Sequence, residues 1–135
     1  MSARGHILSV AIFAVAVACQ PRTDSSPRPN SQLITRVEIE ETGARNLYEV
    51  VERLRPRWLV MRGPRSLANS QTLIVVFQDN MLIGREPNVL RNMGPDGVYS
   101  MRYVDGALAQ ATLPGIGNDH VEGAIIVSMR PPDAR

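Results

Sequence analysis

The stretch that decides the fold is LPGIGNDHVEGAIIVSMR, residues 113–130, in which a polar loop runs directly into a dense apolar segment. Gly115, Gly117 and Gly123 punctuate this stretch. Glycine lets the backbone turn sharply where other residues are strained, so the three glycines predict a turn before the chain enters a sheet. The apolar run that begins at Ala124 predicts a last strand over residues 124–129, in the centre of that sheet.

A helix is predicted over residues 46–54. Asn46 can cap its N-terminus, and Glu49 three residues later completes a pair that resembles a capping box. Pro56 ends the helix, because a proline excludes the α conformation at the residue before it. The apolar residues that recur on one face of this helix, at spacings of three and four, are Leu47, Val50, Val51 and Leu54.

The other periodicities predict a mixed α and β domain. Asn80 lies in the turn of a predicted hairpin, at a position where glycine is commoner, and asparagine tolerates a positive φ better than most residues. Together the elements predict an α+β fold, a small mixed sheet with two or three short helices packed on it. The further elements predicted are a strand with Ile34, Val37 and Ile39, a hairpin with strands 73–77 and 81–83 and the turn Gln78-Asp79-Asn80, a helix that begins at Pro87, an alternating strand over 97–104, and a short helix over 107–111.

Composition argues against a nucleic-acid partner. The chain has 15 basic and 13 acidic residues, and every basic residue is an arginine. The arginines are scattered among acidic residues, whereas a nucleic-acid surface needs a basic stripe. Aromatic residues make up only 4% of the chain, which leaves little for base stacking. No glycine-rich strand-to-helix loop indicates a nucleotide, and no cofactor is predicted.

The N-terminal residues 1–18 are predicted to be a secretory signal peptide. Arg4 gives a positive start, and the apolar run from Ile7 to Ala18 is shorter than the about 20 residues of a membrane-spanning helix. The run ends in Ala-Val-Ala before Cys19, which resembles the bacterial lipobox. That resemblance implies lipidation of Cys19, although the usual leucine is replaced by Ala16. The alternative is an ordinary signal peptide with an incidental cysteine.

Residues 19–32 are predicted to be a lipid-anchored flexible tether. They are rich in proline and serine and almost free of apolar side chains, so they cannot bury enough surface to offset the entropy of ordering. Gln20 after the cysteine, by resemblance to enteric sorting rules, favours the outer membrane. Residues 33–135 form the single predicted domain.

Three segments of this domain follow one another as ITRVEIEETGARNLYEVVERLRP, LIVVFQDNMLIG and VLRNMGPDGVYSMRYVDGALA. They resemble, in this order, the opening strand and helix, the hairpin and the following segment of the plug domains of TonB-dependent outer-membrane receptors. The segment over residues 123–127 is similar to their last strand. The residues that carry the resemblance are Thr42, Gly43, Asn46, Glu49, Asp79, Asn80, Gly115, Gly117 and Gly123.

The resemblance implies a plug-like fold and an interaction surface, with an outer-membrane barrel or a TonB-type protein as candidate partner. Receptor plugs lie inside a barrel of about 22 strands. The present sequence has no such barrel and no clear TonB box, and it has Asn80 in place of a glycine. We therefore do not expect transport by this chain alone.

Few residues in the sequence are candidates for catalysis or metal binding. His120, with Asp119 and Glu122, could bind a metal weakly, but a solvated polar loop is the favoured interpretation, because zinc sites use three or four convergent ligands. Ser66 lacks the setting of a nucleophile elbow. We predict no catalytic residue and no metal site, and an enzyme is the least favoured of the functions considered.

A candidate interaction surface surrounds Trp58, since tryptophan and arginine are enriched at binding hot spots. Its members are Arg57, Trp58, Arg62 and Arg65. The alternative is that Trp58 packs under the sheet and the arginines are solvated. The leading prediction is a non-catalytic, plug-like lipoprotein that serves in binding or assembly at the periplasmic face of the outer membrane. The alternative function is a periplasmic lipoprotein that binds a small ligand in a pocket between the glycine loop and Trp58, coupled to no receptor.

Overall fold

A five-stranded mixed sheet organises the chain. The computed structural model describes residues 30–61 and 72–131. The strand order is β1-β4-β5-β2-β3, in which β2 and β5 are parallel and the other neighbours are antiparallel. The predicted α+β class with a small mixed sheet is confirmed. The strands are β1 Leu33–Thr35, β2 Leu73–Gln78, β3 Met81–Gly84, β4 Ser100–Asp105 and β5 Val121–Ser128.

Short helices pack on the sheet. The described residues form three α-helices and two 3₁₀ helices. The predicted helices that begin at Asn46, at Pro87 and near Ala107 are all present. The one at Pro87 is a 3₁₀ helix. The α-helices are α1 Arg36–Glu41, α2 Leu47–Leu54 and α3 Gly106–Thr112, and the 3₁₀ helices are Pro56–Leu59 and Pro87–Asn92.

The two central strands, β2 and β5, are buried on both faces. Alternate residues of each strand enter two separate clusters, which explains why LIVVF and AIIV read as continuous apolar runs. We call the clusters the α2 core and the α3 core. The α2 core holds Ile74, Val76, Ile125 and Val127 with α2 and Trp58. The α3 core holds Val75, Phe77, Ala124 and Ile126 with Ala109 and Ile116.

Helix α2 has the ends that the sequence predicts. The Asn46 side chain accepts a hydrogen bond of 3.0 Å from the Glu49 N–H, and the helix ends at Leu54 before Arg55 and Pro56. The Glu49 carboxylate accepts from the N–H of Arg45, one residue before the cap, at 3.2 Å. Both side chains therefore satisfy backbone donors at the start of the helix.

The predicted first strand is wrong in its second half. Strand β1 ends at Thr35, and Val37 and Ile39 lie in α1. The Thr35 side chain accepts from the Glu38 N–H, while the Glu38 carboxylate accepts from the Thr35 N–H at 2.8 Å. This reciprocal pair is a capping box, and it starts a helix where the apolar spacing suggested a continued strand.

The alternation predicted over residues 97–104 holds only from Ser100 onward. Met101 and Tyr103 pack against the α2 core, and Val104 packs in the α3 core on the opposite face. Val98, before the strand begins, also enters the α2 core, whereas Tyr99 is exposed. The chain therefore changes conformation at Ser100, and the alternating pattern does not extend to the preceding turn.

The glycines of the last loop have two different roles. Gly115 and Gly117 have φ values of +81° and +67°, as expected of a sharply turning loop. Gly123 instead lies inside β5, which begins at Val121. A Cβ at position 123 would overlap the ring of Tyr103. The prediction that Gly123 helps the chain turn is thus wrong, and its lack of a side chain serves close packing.

The domain begins slightly before the predicted boundary. Asn30 and Gln32 form a turn before β1, with the Gln32 N–H donating to the Asn30 side chain at 3.0 Å. The Asn30 carbonyl also accepts from the Leu33 N–H. Residues 30–32 therefore belong to the folded unit. In the described ranges 30–61 and 72–131, no helix is long and apolar enough to cross a membrane.

Candidate functional site

The residues that carry the plug resemblance shape turns and helix ends. The Thr42 hydroxyl donates to the Ile39 carbonyl at 2.7 Å and accepts from the Ala44 N–H, and Gly43 follows with a φ of +55°. Together these contacts reverse the chain between α1 and α2. These residues, like Asn46, are determinants of the fold and are not assembled into a binding site.

The hairpin turn joins the far end of β5. Asp79 accepts from the Met129 N–H through its Oδ1 at 3.1 Å, and its own N–H donates to the Val127 carbonyl at 2.8 Å. Asp79, with a φ of +52°, is the turn residue in the left-handed region, and not Asn80 as predicted. Aspartate tolerates this conformation better than most residues, and here it also connects two strands.

Trp58 is part of the core and does not form a surface. It is 4% exposed, its Nε1 donates to the Ser31 carbonyl at 3.0 Å, and its ring stacks on Tyr103 with centroids 5.8 Å apart. Pro56 starts a 3₁₀ helix in which the Trp58 side chain is buried in the α2 core. Of the predicted surface, Arg57 is exposed. Arg62, Arg65 and the predicted lipidation site Cys19 lie outside the described residues.

Within the described residues, Trp58 and the glycine loop do not line the ligand pocket that the sequence predicted between them. Trp58 lies in the α2 core, whereas Ile116 of the glycine loop lies in the α3 core. The two cores are on opposite faces of the sheet, so no cavity can be lined by both.

The residues around His120 are engaged in local contacts. Asp119 forms an ion pair with Arg85, and its carbonyl accepts from the Gln110 side chain at 2.7 Å. The His120 carbonyl accepts from the Leu73 N–H at the start of β2. Within residues 30–61 and 72–131, no group of three histidine, cysteine, aspartate or glutamate side chains is placed to hold a metal ion.

Arg55 anchors the start of the domain, which sequence patterns did not indicate. Its guanidinium donates to the carbonyls of Asn30 and Leu33 at 3.1 and 3.0 Å and to Glu38 Oε1 at 2.9 Å. Partial burial raises the pKa of the Glu38 carboxyl. The hydrogen bonds from Thr35 and Arg55 outweigh that effect and hold this pKa below its usual value.

The outer edge of β1 is occupied by these same contacts. The Leu33 N–H donates to the Asn30 carbonyl, the Leu33 carbonyl accepts from Arg55, and the Thr35 N–H donates to Glu38. A strand edge with free backbone groups is a template for another chain. These groups of β1 are already bonded, so the edge is not offered to an added strand.

No residue of the described ranges 30–61 and 72–131 covers one half of one sheet face. The α3 core covers this face over β2 and β5, but not over β1 and the adjoining part of β4. A groove of about 600 Å³ lies there, and we call it the arginine groove. It is lined by Leu33, Thr35, Arg36, Val37, Tyr99, Ser100, Arg102, Ser128 and Arg130.

Strand register explains why the arginines of the groove come together. Ser100 of β4 lies opposite Ser128 of β5. Arg102, two residues further along β4, shares the face of Ser100. Arg130 lies two residues beyond the end of β5 at Ser128 and lines the same groove. Arg36 enters from the first turn of α1 and pairs with Glu40 at 2.7 Å. Within the described residues, neither Arg102 nor Arg130 has an acidic partner.

The groove is also partly apolar. Val37 is 62% exposed and Tyr99 is 37% exposed. A second groove of about 390 Å³ shares Arg102 and extends along β4 to Leu108 of α3, which is 51% exposed. No sequence pattern marks these grooves, because their residues come from three separate parts of the chain: β1 with α1, β4 with α3, and β5.

Comparison with known proteins identifies no relative. No family model, no curated protein and no solved structure matches the chain. The resemblance to plug domains therefore stays a prediction from the residues themselves.

Proposed function

We propose that this chain is a non-catalytic lipoprotein with a plug-like fold that serves as a binding or assembly module at the outer membrane. Cys19 is its proposed lipid anchor, and the periplasmic face of the membrane is its proposed location. The candidate partner is an outer-membrane barrel or a TonB-type protein.

The observation that carries the proposal is the half-open sheet. Arg102 and Arg130 stand on its uncovered face without acidic partners among the described residues, beside the exposed Val37 and Tyr99. Arginine and tyrosine are enriched where proteins bind other molecules. The turns and caps of the plug-like motifs support the proposal indirectly, because they fix the strands that present this face.

Affinity purification tests the partner. Tagged wild-type protein is recovered from gently solubilised native membranes, with the Cys19→Ala variant as the unanchored control, and co-purified proteins are identified by mass spectrometry. We expect a barrel or an energy-coupling protein with the wild type and its loss with the variant. Recovery of the wild-type protein alone from the membrane fraction would contradict an assembly role.

The second candidate function is binding of a small ligand without any receptor. The observation that favours it is the size of the arginine groove, since ligand sites commonly have volumes of about 300–1,000 Å³. Titration of the protein with glycans and siderophore-like compounds tests this function. Saturable binding that Arg102→Gln abolishes would support it, and absence of binding by every such compound would exclude those classes.

A further inference from the structure

We propose that the arginine groove binds the phosphate groups of anionic membrane lipids and so fixes which side of the domain faces the membrane. This inference deepens the proposed function and rests on the anchor at Cys19. It assigns an occupant to the open half of the sheet, namely the headgroup layer of the bilayer that holds the protein.

Charge is the first argument. Arg102 and Arg130 are exposed and lack acidic partners within the described residues, and only Arg36 is tied to a carboxylate, that of Glu40. The planar guanidinium offers paired donors that match the oxygens of a phosphate. Three arginines around one groove thus leave an excess of positive charge that a phosphate layer can neutralise.

The apolar rim is the second argument, and it favours a lipid over free phosphate. Val37 and Tyr99 line the same groove and are 62% and 37% exposed. Tyrosine is enriched at membrane interfaces, because its ring is apolar and its hydroxyl is polar. A lipid headgroup offers both phosphate oxygens and adjoining apolar carbon atoms, whereas inorganic phosphate offers only the oxygens.

Strand β1 links the groove to the N-terminal side of the chain. Leu33, the first residue of β1, lines the groove. Just before it, Arg55 and Trp58 hold the carbonyls of Asn30 and Ser31. The segment that leads from Cys19 therefore meets the sheet at β1, one of the strands of the groove.

The distance to the anchor is also suitable. Eleven positions separate Cys19 from Asn30. A polar segment of that length, rich in serine and proline, spans roughly 20–35 Å. A domain of about 100 residues has a radius of gyration of about 13 Å. The tether therefore permits the groove to contact the surface in which the lipid is inserted.

Vesicle sedimentation tests the inference. The protein is the chain from residue 20 to residue 135, which lacks Cys19 and cannot be acylated there, so that binding cannot come from the anchor. The vesicles are phosphatidylcholine alone and phosphatidylcholine with phosphatidylglycerol. The test variant is Arg102→Gln/Arg130→Gln. The control is Arg45→Gln/Arg57→Gln, which removes the same charge from exposed positions outside the groove. Thermal unfolding of each protein verifies that it is folded.

We expect the wild type and the control to bind the anionic vesicles alike, with weaker binding to phosphatidylcholine alone. An arginine near an anionic surface contributes about 1 kcal/mol, so the test variant should bind about 30-fold more weakly. Equal binding of the test variant and the control would overturn the inference. Release of the protein from the vesicles by inorganic phosphate, at a concentration equal to that of the lipid phosphate, would also overturn the inference. The groove would then be a site for the free ion.

The outcome of the vesicle experiment is independent of the outcome of the affinity purification that tests the proposed function. The vesicle experiment needs no acylation and no protein partner, so it can succeed when co-purification from membranes fails. Conversely, an acylated protein that co-purifies with a barrel but has a groove indifferent to anionic vesicles would retain the proposed function and lose this inference.

Discussion

Replacement of Arg55 with methionine should detach the start of the domain from α2. The Arg55 guanidinium binds the carbonyls of Asn30 and Leu33 and the carboxylate of Glu38, and its side chain is only 12% exposed. Methionine retains much of the aliphatic stem and removes every donor. Two partly buried acceptors, the Leu33 carbonyl and the Glu38 carboxylate, would lose a partner.

The expected loss is about 2–3 kcal/mol in the free energy of unfolding. A hydrogen bond to a charged group contributes about 1.5–3 kcal/mol, and breaking a fully buried ion pair costs about 3–5 kcal/mol. The range for a hydrogen bond to a charged group applies here, because the Glu38 side chain is 26% exposed and the Thr35 N–H still donates to it at 2.8 Å. For a domain of this size the loss corresponds to a fall in Tm of about 10–20 °C.

Urea and thermal unfolding at neutral pH measure this loss. The matched control is Arg45→Met, because the Arg45 side chain is exposed and forms no ion pair within the described residues. The control should change stability by less than about 0.5 kcal/mol. An Arg55→Met protein as stable as the control would refute the role given to this anchor.

The same anchor predicts a dependence on pH. Since the pKa of folded Glu38 is lowered from 4.5, its contribution is complete above the unfolded pKa and is lost as the pH falls through the folded pKa. The difference in stability between wild type and Arg55→Met should therefore shrink in acid. Urea unfolding over a pH series measures it, and a constant difference would show that Glu38 is not involved.

Two further substitutions test the packing and the hairpin turn. Gly123→Ala should destabilise the protein by about 1–3 kcal/mol, because its Cβ would overlap the Tyr103 ring, whereas Gly94→Ala has no atom nearer than 4.0 Å and should be near neutral in thermal unfolding. Asp79→Ala should cost about 1–2 kcal/mol, through loss of the bond to β5 and strain at a φ of +52°. Asn80→Ala should cost little. If urea unfolding showed Asn80→Ala to be more destabilising than Asp79→Ala, the assigned turn would be contradicted.

Much of the fold could be predicted from local patterns. The spacing of apolar residues in α2, its cap at Asn46 and the stop at Pro56 are all satisfied within a few residues of the chain. The runs 73–77 and 124–127 are apolar throughout because their strands are buried on both faces. Both kinds of element leave a mark in a short stretch of sequence, as a cap and periodic spacing for α2 and as a continuous apolar run for β2 and β5.

The first strand was mispredicted although the signal was present. Thr35 and Glu38 form the Thr-x-x-Glu pattern of a capping box, and it takes precedence over the loose apolar spacing that suggested a strand to Ile39. For Trp58 the sequence left two interpretations open, an interaction surface and a side chain packed under the sheet. Only the packed structure shows that the turn after Pro56 directs the indole toward Tyr103.

The arginine groove could not be predicted at all. Arg36, Arg102 and Arg130 are separated by up to 94 positions (130 − 36). They line one groove only in the folded domain, where β4 lies between β1 and β5. In the sequence they read as scattered charges. A binding surface on a sheet face is a product of topology, which local patterns do not encode.

The most direct test of the central claim is the mass and location of the mature protein. Membranes and soluble fractions are separated from cells that express the wild type or Cys19→Ala, and the intact mass of each protein is measured. We predict a wild-type chain in the membrane fraction that begins at Cys19 and carries acyl chains, with the variant released or unprocessed. An unmodified wild-type chain in the soluble fraction would contradict the claim that this protein is an anchored module of the membrane.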